Sequence, residues 1–202
     1  MHKRIGIIGG LSPESTVSYY LHITRTYVDR FGDHGYPEIV IYSVSMEKYH
    51  RWRAAERWDL IAGDLIAAAK GLEHAGADFG VIATNTMHKV FDLVSAAVDL
   101  PLLHMIDATV RKAKTLGLKK LGLLGTQTTM CDGFYQAYCE HHGLQMVVPP
   151  PKDQEIVHKV IVDELVRGRL FETSRVEYMR IIHDLADLGA EGIVLGLSLI
   201  HI

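Results

Sequence analysis

Short apolar runs alternate along the chain with longer stretches whose apolar residues recur at helical spacing. Residues 5–8, 39–44, 79–83, 102–104, 121–124, 145–148 and 192–195 read as buried strands, most of them bounded by glycine, proline or polar residues. Helices are expected over 13 to about 30, 59–74, 87–98, 108–116, 130–142, 154–167 and 173–188. Ser12 and Pro13 open the first as N-cap and first-position proline. The second carries Leu60, Ile61, Leu65, Ile66 and Leu72 on one face, and Gly76 ends it. Strands alternating with helices of this length need crossover connections, which makes the sheets parallel and the crossovers right-handed.

An internal repeat groups these elements. Lys3-Arg4-Ile5-Gly6-Ile7-Ile8-Gly9-Gly10 returns 116 positions on (Lys3 to Lys119) as Lys119-Lys120-Leu121-Gly122-Leu123-Leu124-Gly125-Thr126. Gly76-Ala77-Asp78, feeding a strand that runs to Ala83, returns 113 positions on (Gly76 to Gly189) as Gly189-Ala190-Glu191, feeding a strand that runs to Gly196. Ordinary βαβ grammar can produce either match. Two matches in one order at nearly one offset argue for a duplicated unit. The expectation is an α/β fold of two similar lobes, 1–105 and 106–196. Each is a parallel sheet flanked by helices, the two are pseudo-two-fold related, and a cleft lies between them.

Composition narrows the class. The chain has 202 residues, 48% hydrophobic and 22% charged, with a net charge of −3; this suffices for one large core or two small ones. A nucleic-acid partner is not expected, because that calls for a basic face. No apolar run reaches the ~18 residues of a membrane helix. The opening Met1-His2-Lys3-Arg4 runs straight into a strand with no cleavage site behind it. A soluble, cytoplasmic protein follows as the expectation. Cys131 and Cys139 form neither a disulfide framework nor a metal pattern, and the 12 histidines are scattered without H-E-x-x-H, so no metal is expected.

Ligands of open parallel sheets bind beyond the carboxyl ends of the strands. Four such ends can be named: residues 9–16, Thr84-Asn85-Thr86, residues 126–129, and whatever follows Gly196. Gly9-Gly10-Leu11-Ser12 is a glycine turn before a helix N-terminus, suited to an anion; bare tight-turn duty explains it equally well. It is not G-x-G-x-x-G, so a substrate carboxylate fits better than a dinucleotide. Thr84-Asn85-Thr86 supplies good N-caps, which accounts for one of the three but not for all being polar. The repeat pairs position 84 with position 197, putting Thr84 and Leu197 at equivalent places on opposite walls.

These residues carry a resemblance. Residues 7–16 (Ile7-Ile8-Gly9-Gly10-Leu11-Ser12-Pro13-Glu14-Ser15-Thr16) with Tyr19-Tyr20, then Thr84-Asn85-Thr86-Met87-His88-Lys89, then Leu123-Leu124-Gly125-Thr126, together resemble the aspartate/glutamate racemase family, from residue 3 to about residue 196. The resemblance implies cofactor-free chemistry on a small amino-acid substrate. Two facing residues, usually both cysteines, remove and return the α-proton from opposite faces. It assigns the first position to Thr84 and the second to Leu197, and it implies a homodimer. Relatives acting on hydantoins, maleate or arylmalonates share the scaffold.

Racemisation needs a base on each face of Cα and donors around the carboxylate. Gly10, Leu11, Ser12, Asn85, Thr86, Thr126 and Thr128 are the candidate carboxylate donors. Lys48 and Arg53 are the candidate cations for a side-chain carboxylate, with Arg51 and Arg57 as competitors. A threonine hydroxyl is a far poorer base than a thiolate, and Leu197 can move no proton. The chain as written is therefore expected to be impaired, and a catalytically inactive amino-acid or carboxylate binder is the alternative. Residues 197–202 do not resemble the family's continuation, a loop and a closing helix. They are expected to be a non-native tail on a truncated chain.

Overall fold

The computed structural model describes residues 2–169 and 171–196. Leu197, and with it the expected tail, lies outside the described residues. The chain divides into two compact units, the first ending at Met105 and the second beginning at Ile106.

The first unit runs β1 (Ile5–Gly9), α1 (Pro13–Phe31), β2 (Ile39–Ser43), α2 (Met46–Ala54), α3 (Trp58–His74) and β3 (Phe79–Ile82). A 3-10 turn (Thr86–Val90), α4 (Phe91–Ser95) and β4 (Leu102–Leu103) complete it. Its four strands are all parallel, in the order β2-β1-β3-β4. From its start, α5 (Met105–Thr115) leads into the second unit: β5 (Lys120–Leu124), α6 (Gln127–Cys131), α7 (Phe134–His141), β6 (Gln145–Val147), α8 (Pro151–Asp163), a 3-10 turn (Leu165–Arg167), α9 (Glu172–Asp187) and β7 (Gly192–Leu195). Three parallel strands stand there in the order β6-β5-β7. The protein is thus α/β, with two parallel sheets flanked by helices.

The repeat survives at the level of register. Ile5 pairs with Phe79 across β1 and β3, and Leu121 pairs with Gly192 across β5 and β7. The first members are 116 positions apart and the second 113, the two offsets read from the sequence. Even the bond that closes each ladder is the same. Ala83 N–H donates to the Ile8 carbonyl at 3.0 Å, and Gly196 N–H donates to the Leu124 carbonyl at 2.6 Å.

Each unit has its own core. In the first, Ile8 and Ile82 of the sheet pack on Ile61, Leu65, Ala68, Ala69 and Leu72 of α3 and on Phe91 and Val94 of α4. In the second, Leu121, Leu123 and Leu124 pack with Val110, Tyr135, Val157, Ile161 and Ile181. Burying an aliphatic side chain of this kind contributes about 1.5–3 kcal/mol. α1 begins as expected: Ser12 accepts from the Ser15 amide at 3.4 Å and Pro13 takes the first position.

Four elements differ from the sequence expectation, one of them the helix expected over 154–167, which runs over Pro151–Asp163 and is followed by the 3-10 turn Leu165–Arg167. α2 was not expected at all. Only Tyr49 of its nine residues is buried, so its sequence shows no apolar stripe. The helix expected over 87–98 is instead a 3-10 turn followed by five residues of α-helix. The His88 ring takes the Thr84 carbonyl at 2.8 Å, which an α-helix would have given to the His88 amide, and that amide turns to the Asn85 carbonyl at 2.9 Å. The helix expected over 130–142 is broken into α6 and α7 at Gly133, whose φ of 77° is left-handed.

Candidate active site

In the first sheet β1 lies between β2 and β3, so the chain leaves β1 toward one side and returns with β3 on the other. The carboxyl ends of β1 and β3 therefore flank a topological switch point, where α/β folds hold ligands. The glycine turn after β1 and Thr84-Asn85-Thr86 after β3 both stand there. In the second unit β5 lies between β6 and β7, with Gly125-Thr126 and Gly196 at the corresponding ends.

The glycine turn is tightly built. Gly10 has φ 82°, and its amide donates to Thr16 Oγ1 at 2.9 Å. Thr16 Oγ1 in turn donates to the Ser12 carbonyl at 3.0 Å. The Ser12 hydroxyl is occupied as the cap of α1, and the Leu11 side chain lies in the core. What remains for an anion is the backbone: among the described residues the Leu11 and Ser12 amides have no hydrogen-bond partner. In the second unit Thr126 caps α6 through the Thr129 amide at 3.3 Å and meets the Thr129 hydroxyl at 3.0 Å. Thr128 is half-buried on α6.

At the end of β3, Thr84 is half-buried and its backbone is held at both ends. Its amide donates to the Ile82 carbonyl at 2.8 Å, and its carbonyl accepts from His88 Nδ1 at 2.8 Å. No side chain among the described residues is hydrogen-bonded to the Thr84 hydroxyl. Asn85 is 8% exposed, yet its side-chain oxygen has no partner among the described residues. A buried carboxamide without a partner costs about 1–3 kcal/mol. It presents either an acceptor or, after a half-turn, a pair of donors. Thr86 is buried beside it.

Sequence reasoning gave His88 no role beyond its place in the segment 84–89, and it did not name Asp64. His88 is 5% exposed; its Nδ1–H donates to Thr84 and its Nε2 accepts from the Met105 amide at 3.1 Å. Only the neutral ring satisfies both bonds. Burial first, then nearby His104, pushes its pKa down to about 4. A folded value below the unfolded one of about 6.5 makes the unfolded chain the better proton binder in acid. His88 should therefore contribute about 3 kcal/mol that is fully present above pH ~6.5 and lost as pH falls toward ~4. Urea midpoints between pH 7 and 4.5 should drop for the native chain and drop less for His88→Asn. Equal slopes for the two proteins would refute this assignment.

Lys48 and Arg53 both lie on α2 but differ in their partners. Lys48 Nζ donates to Asp64 Oδ1 at 2.6 Å, and the Tyr49 hydroxyl donates to Asp64 Oδ2 at 2.6 Å. The ammonium also lies over the Tyr49 and Trp52 rings, at 5.7 and 5.6 Å. Its charge is already answered. Arg53 is half-buried and donates to His50 Nδ1 at 3.1 Å, and no carboxylate pairs with it among the described residues. Burial pulls its guanidinium below the ordinary value. Burial and the Arg53 charge likewise pull His50 down, keeping it a neutral acceptor. The competitors are spoken for: Arg51 pairs with Glu47 and Arg57 with Asp59.

No helix among the described residues is long and apolar enough to cross a membrane. No group of three or more metal-ligating side chains is gathered among them either.

Two α/β units, each a parallel sheet flanked by helices with small or polar residues at its strand ends, define the class of protein. The Asp/Glu/hydantoin racemase family model matches residues 8–196. The chain belongs to that family. It is 42% identical to a candidate Asp/Glu racemase from Yersinia pestis, covering 99% of this chain and 87% of that one, with a TM-score of 0.91. An aspartate racemase homologue from Pyrococcus horikoshii OT3 is 38% identical over 98% of this chain and 86% of its own, with a TM-score of 0.84. The broad specificity amino-acid racemase RacX of Bacillus subtilis is 29% identical over 161 residues, 77% of this chain. The chain spans 64% of the length of that curated relative.

Proposed function

We propose that the protein is a cofactor-independent racemase of an acidic amino acid, aspartate or glutamate, with Thr84 carrying the proton on one face of Cα. The observation that carries this reading is the buried, partnerless carboxamide of Asn85 beside Thr84, at the switch point of the first sheet. An α-amino acid brings an ammonium that donates and a carboxylate that accepts, so it can satisfy that carboxamide in either orientation. The Leu11 and Ser12 amides at the positive end of α1 supply further carboxylate donors. Thr86, Thr126 and Thr128 complete the proposed set, and a soluble cytoplasmic homodimer belongs to the reading by resemblance.

For the side-chain carboxylate, Arg53 is the better cation, because Lys48 is bound to Asp64. Arg53→Met should raise KM for acidic substrates about tenfold or more, the value of one charged hydrogen bond. Lys48→Met should chiefly lower stability. Steady-state kinetics beside urea melts of both variants separates the roles. A larger KM effect from Lys48→Met would reverse the assignment.

Leu197 favours a second reading, a binder without turnover, since it stands at the repeat-equivalent of Thr84 and carries no proton. The native chain is incubated in D₂O with each enantiomer of aspartate and glutamate, following the α-proton by NMR. α-Deuterium incorporation supports the racemase. Inversion is expected once Leu197→Cys restores a second carrier. Binding without exchange, in the native chain and in Leu197→Cys alike, supports the binder and overturns the racemase.

A further inference from the structure

By the offset of 113 that pairs Thr84 with Leu197, His88 pairs with His201, which lies outside the described residues. Two other rings close in on the His88 ring. Phe91 stacks parallel to it, 5.2 Å between centroids at 9°, and His104 meets it edge-on at 4.9 Å and 76°. Both ring nitrogens are committed, Nδ1–H to the Thr84 carbonyl and Nε2 to the Met105 amide. The second bond fixes the tautomer that makes the first one possible. A ring carrying its proton on Nε2 would face an amide that is itself a donor, and would offer only a lone pair to the Thr84 carbonyl.

The Thr86–Val90 segment beside this bond is a 3-10 turn, in which the His88 amide bonds three residues back, to the Asn85 carbonyl. The direction of the Thr84 side chain is set by two backbone bonds. One, to Ile82, belongs to the strand end; the other is supplied by an imidazole four residues on.

We propose that His88 is a positioning residue for proton transfer at Thr84, acting through the Thr84 carbonyl to aim the hydroxyl at the substrate α-carbon. This rests on the racemase reading for its chemistry, but the holding of Thr84 stands apart from it. A misplacement of about 1 Å at a reacting group costs up to ~10²-fold in rate, so carboxamide substitutions that separate the two bonds should have unequal effects.

Asparagine and glutamine divide the two bonds. The asparagine carboxamide nitrogen is as many bonds from Cα as Nδ1, so His88→Asn can still donate to the Thr84 carbonyl while giving up the Met105 bond. His88→Gln reaches to the Nε2 position, where its oxygen can accept from Met105, but it leaves the Thr84 carbonyl without its donor. Two measurements are made on the full chain: the rate of α-proton exchange per folded molecule, and amide hydrogen exchange of Thr84 and residue 88. His88→Gln should lower the maximal exchange rate roughly ten- to hundredfold with KM within about twofold. It should also speed exchange of the Thr84 amide at least about tenfold. His88→Asn should stay within roughly threefold of the native chain in both.

Equal losses in the two variants, or native amide exchange at Thr84 in His88→Gln, would overturn the proposal and leave His88 a core residue. If the native chain exchanges no α-proton from any of the four amino acids, the racemase reading fails on its own. The amide measurement then still decides whether His88 holds Thr84.

Discussion

Thr84→Ala is expected to slow α-proton exchange by at least ~10²-fold while KM stays within about threefold, the signature of a lost acid–base group rather than a lost binding contact. The substitution should be nearly silent in stability, about 0.5 kcal/mol or less. Thr84 is half-buried, and its hydroxyl makes no hydrogen bond among the described residues, so its removal opens neither a network nor a deep cavity. The same observation explains why the native rate should be low. A threonine hydroxyl stays protonated near neutral pH, and nothing described in the first unit draws its proton away. Thr84→Cys should therefore exchange faster than the native chain, because a thiol ionises near pH 8.5 and lower beside cationic groups or at a helix N-terminus. NMR in D₂O reads all three proteins in one experiment. An alanine variant as fast as the native chain would remove Thr84 from the mechanism.

Gly10→Ala is expected to be the most damaging single methyl in the first unit, costing about 2–5 kcal/mol. Two effects combine. The φ of 82° is one that an alanine adopts only under strain. The new methyl would also collide with the Val44 carbonyl oxygen and come within 2.7 Å of the Val44 nitrogen, both backbone atoms that cannot rotate aside. The turn would have to open, and with it the Gly10 amide's bond to Thr16 and the approach to the Leu11 and Ser12 amides. A urea melt should show a lower midpoint at unchanged slope. Gly32→Ala is the internal comparison. It shares a left-handed φ of 72°, but its methyl would meet nothing within 4 Å, so it should cost only the conformational strain, ~1 kcal/mol. Similar midpoints for the two variants would show that strain alone, and not the Val44 collision, governs Gly10.

The frame was legible because its signals are local or periodic. β7 was read to the residue, and α3 and α9 to within one, because apolar residues at helical or strand spacing are bounded there by glycines that stop them. The duplicated register was legible for a different reason: two offsets in a sequence become two strand pairings only if the same ladder is built twice. α2 was invisible because a helix that buries only Tyr49 leaves no stripe to count. The 3-10 turn after Thr84 was invisible because periodicity cannot tell three-residue from four-residue backbone bonds over so short a segment, nor see the ring-to-carbonyl bond of His88. Among the proposed site residues, the sequence drew attention to Thr84, Asn85 and the glycine turn by their place at strand ends. It could not separate Lys48 from Arg53, because Asp64 lies 16 residues from Lys48 and one helix away. It named Ser12 as the cap of α1 but could not foresee that Thr126 spends its hydroxyl capping α6.

The ladder bonds donated by Ala83 and Gly196 are main-chain bonds, and each comes from the residue just before position 84 or position 197. Those two bonds join main-chain atoms of other residues and do not depend on what side chain stands at either position. Such a frame lets reactivity be acquired, weakened or abandoned by single substitutions, so that an active protein and an inert one can share it almost atom for atom.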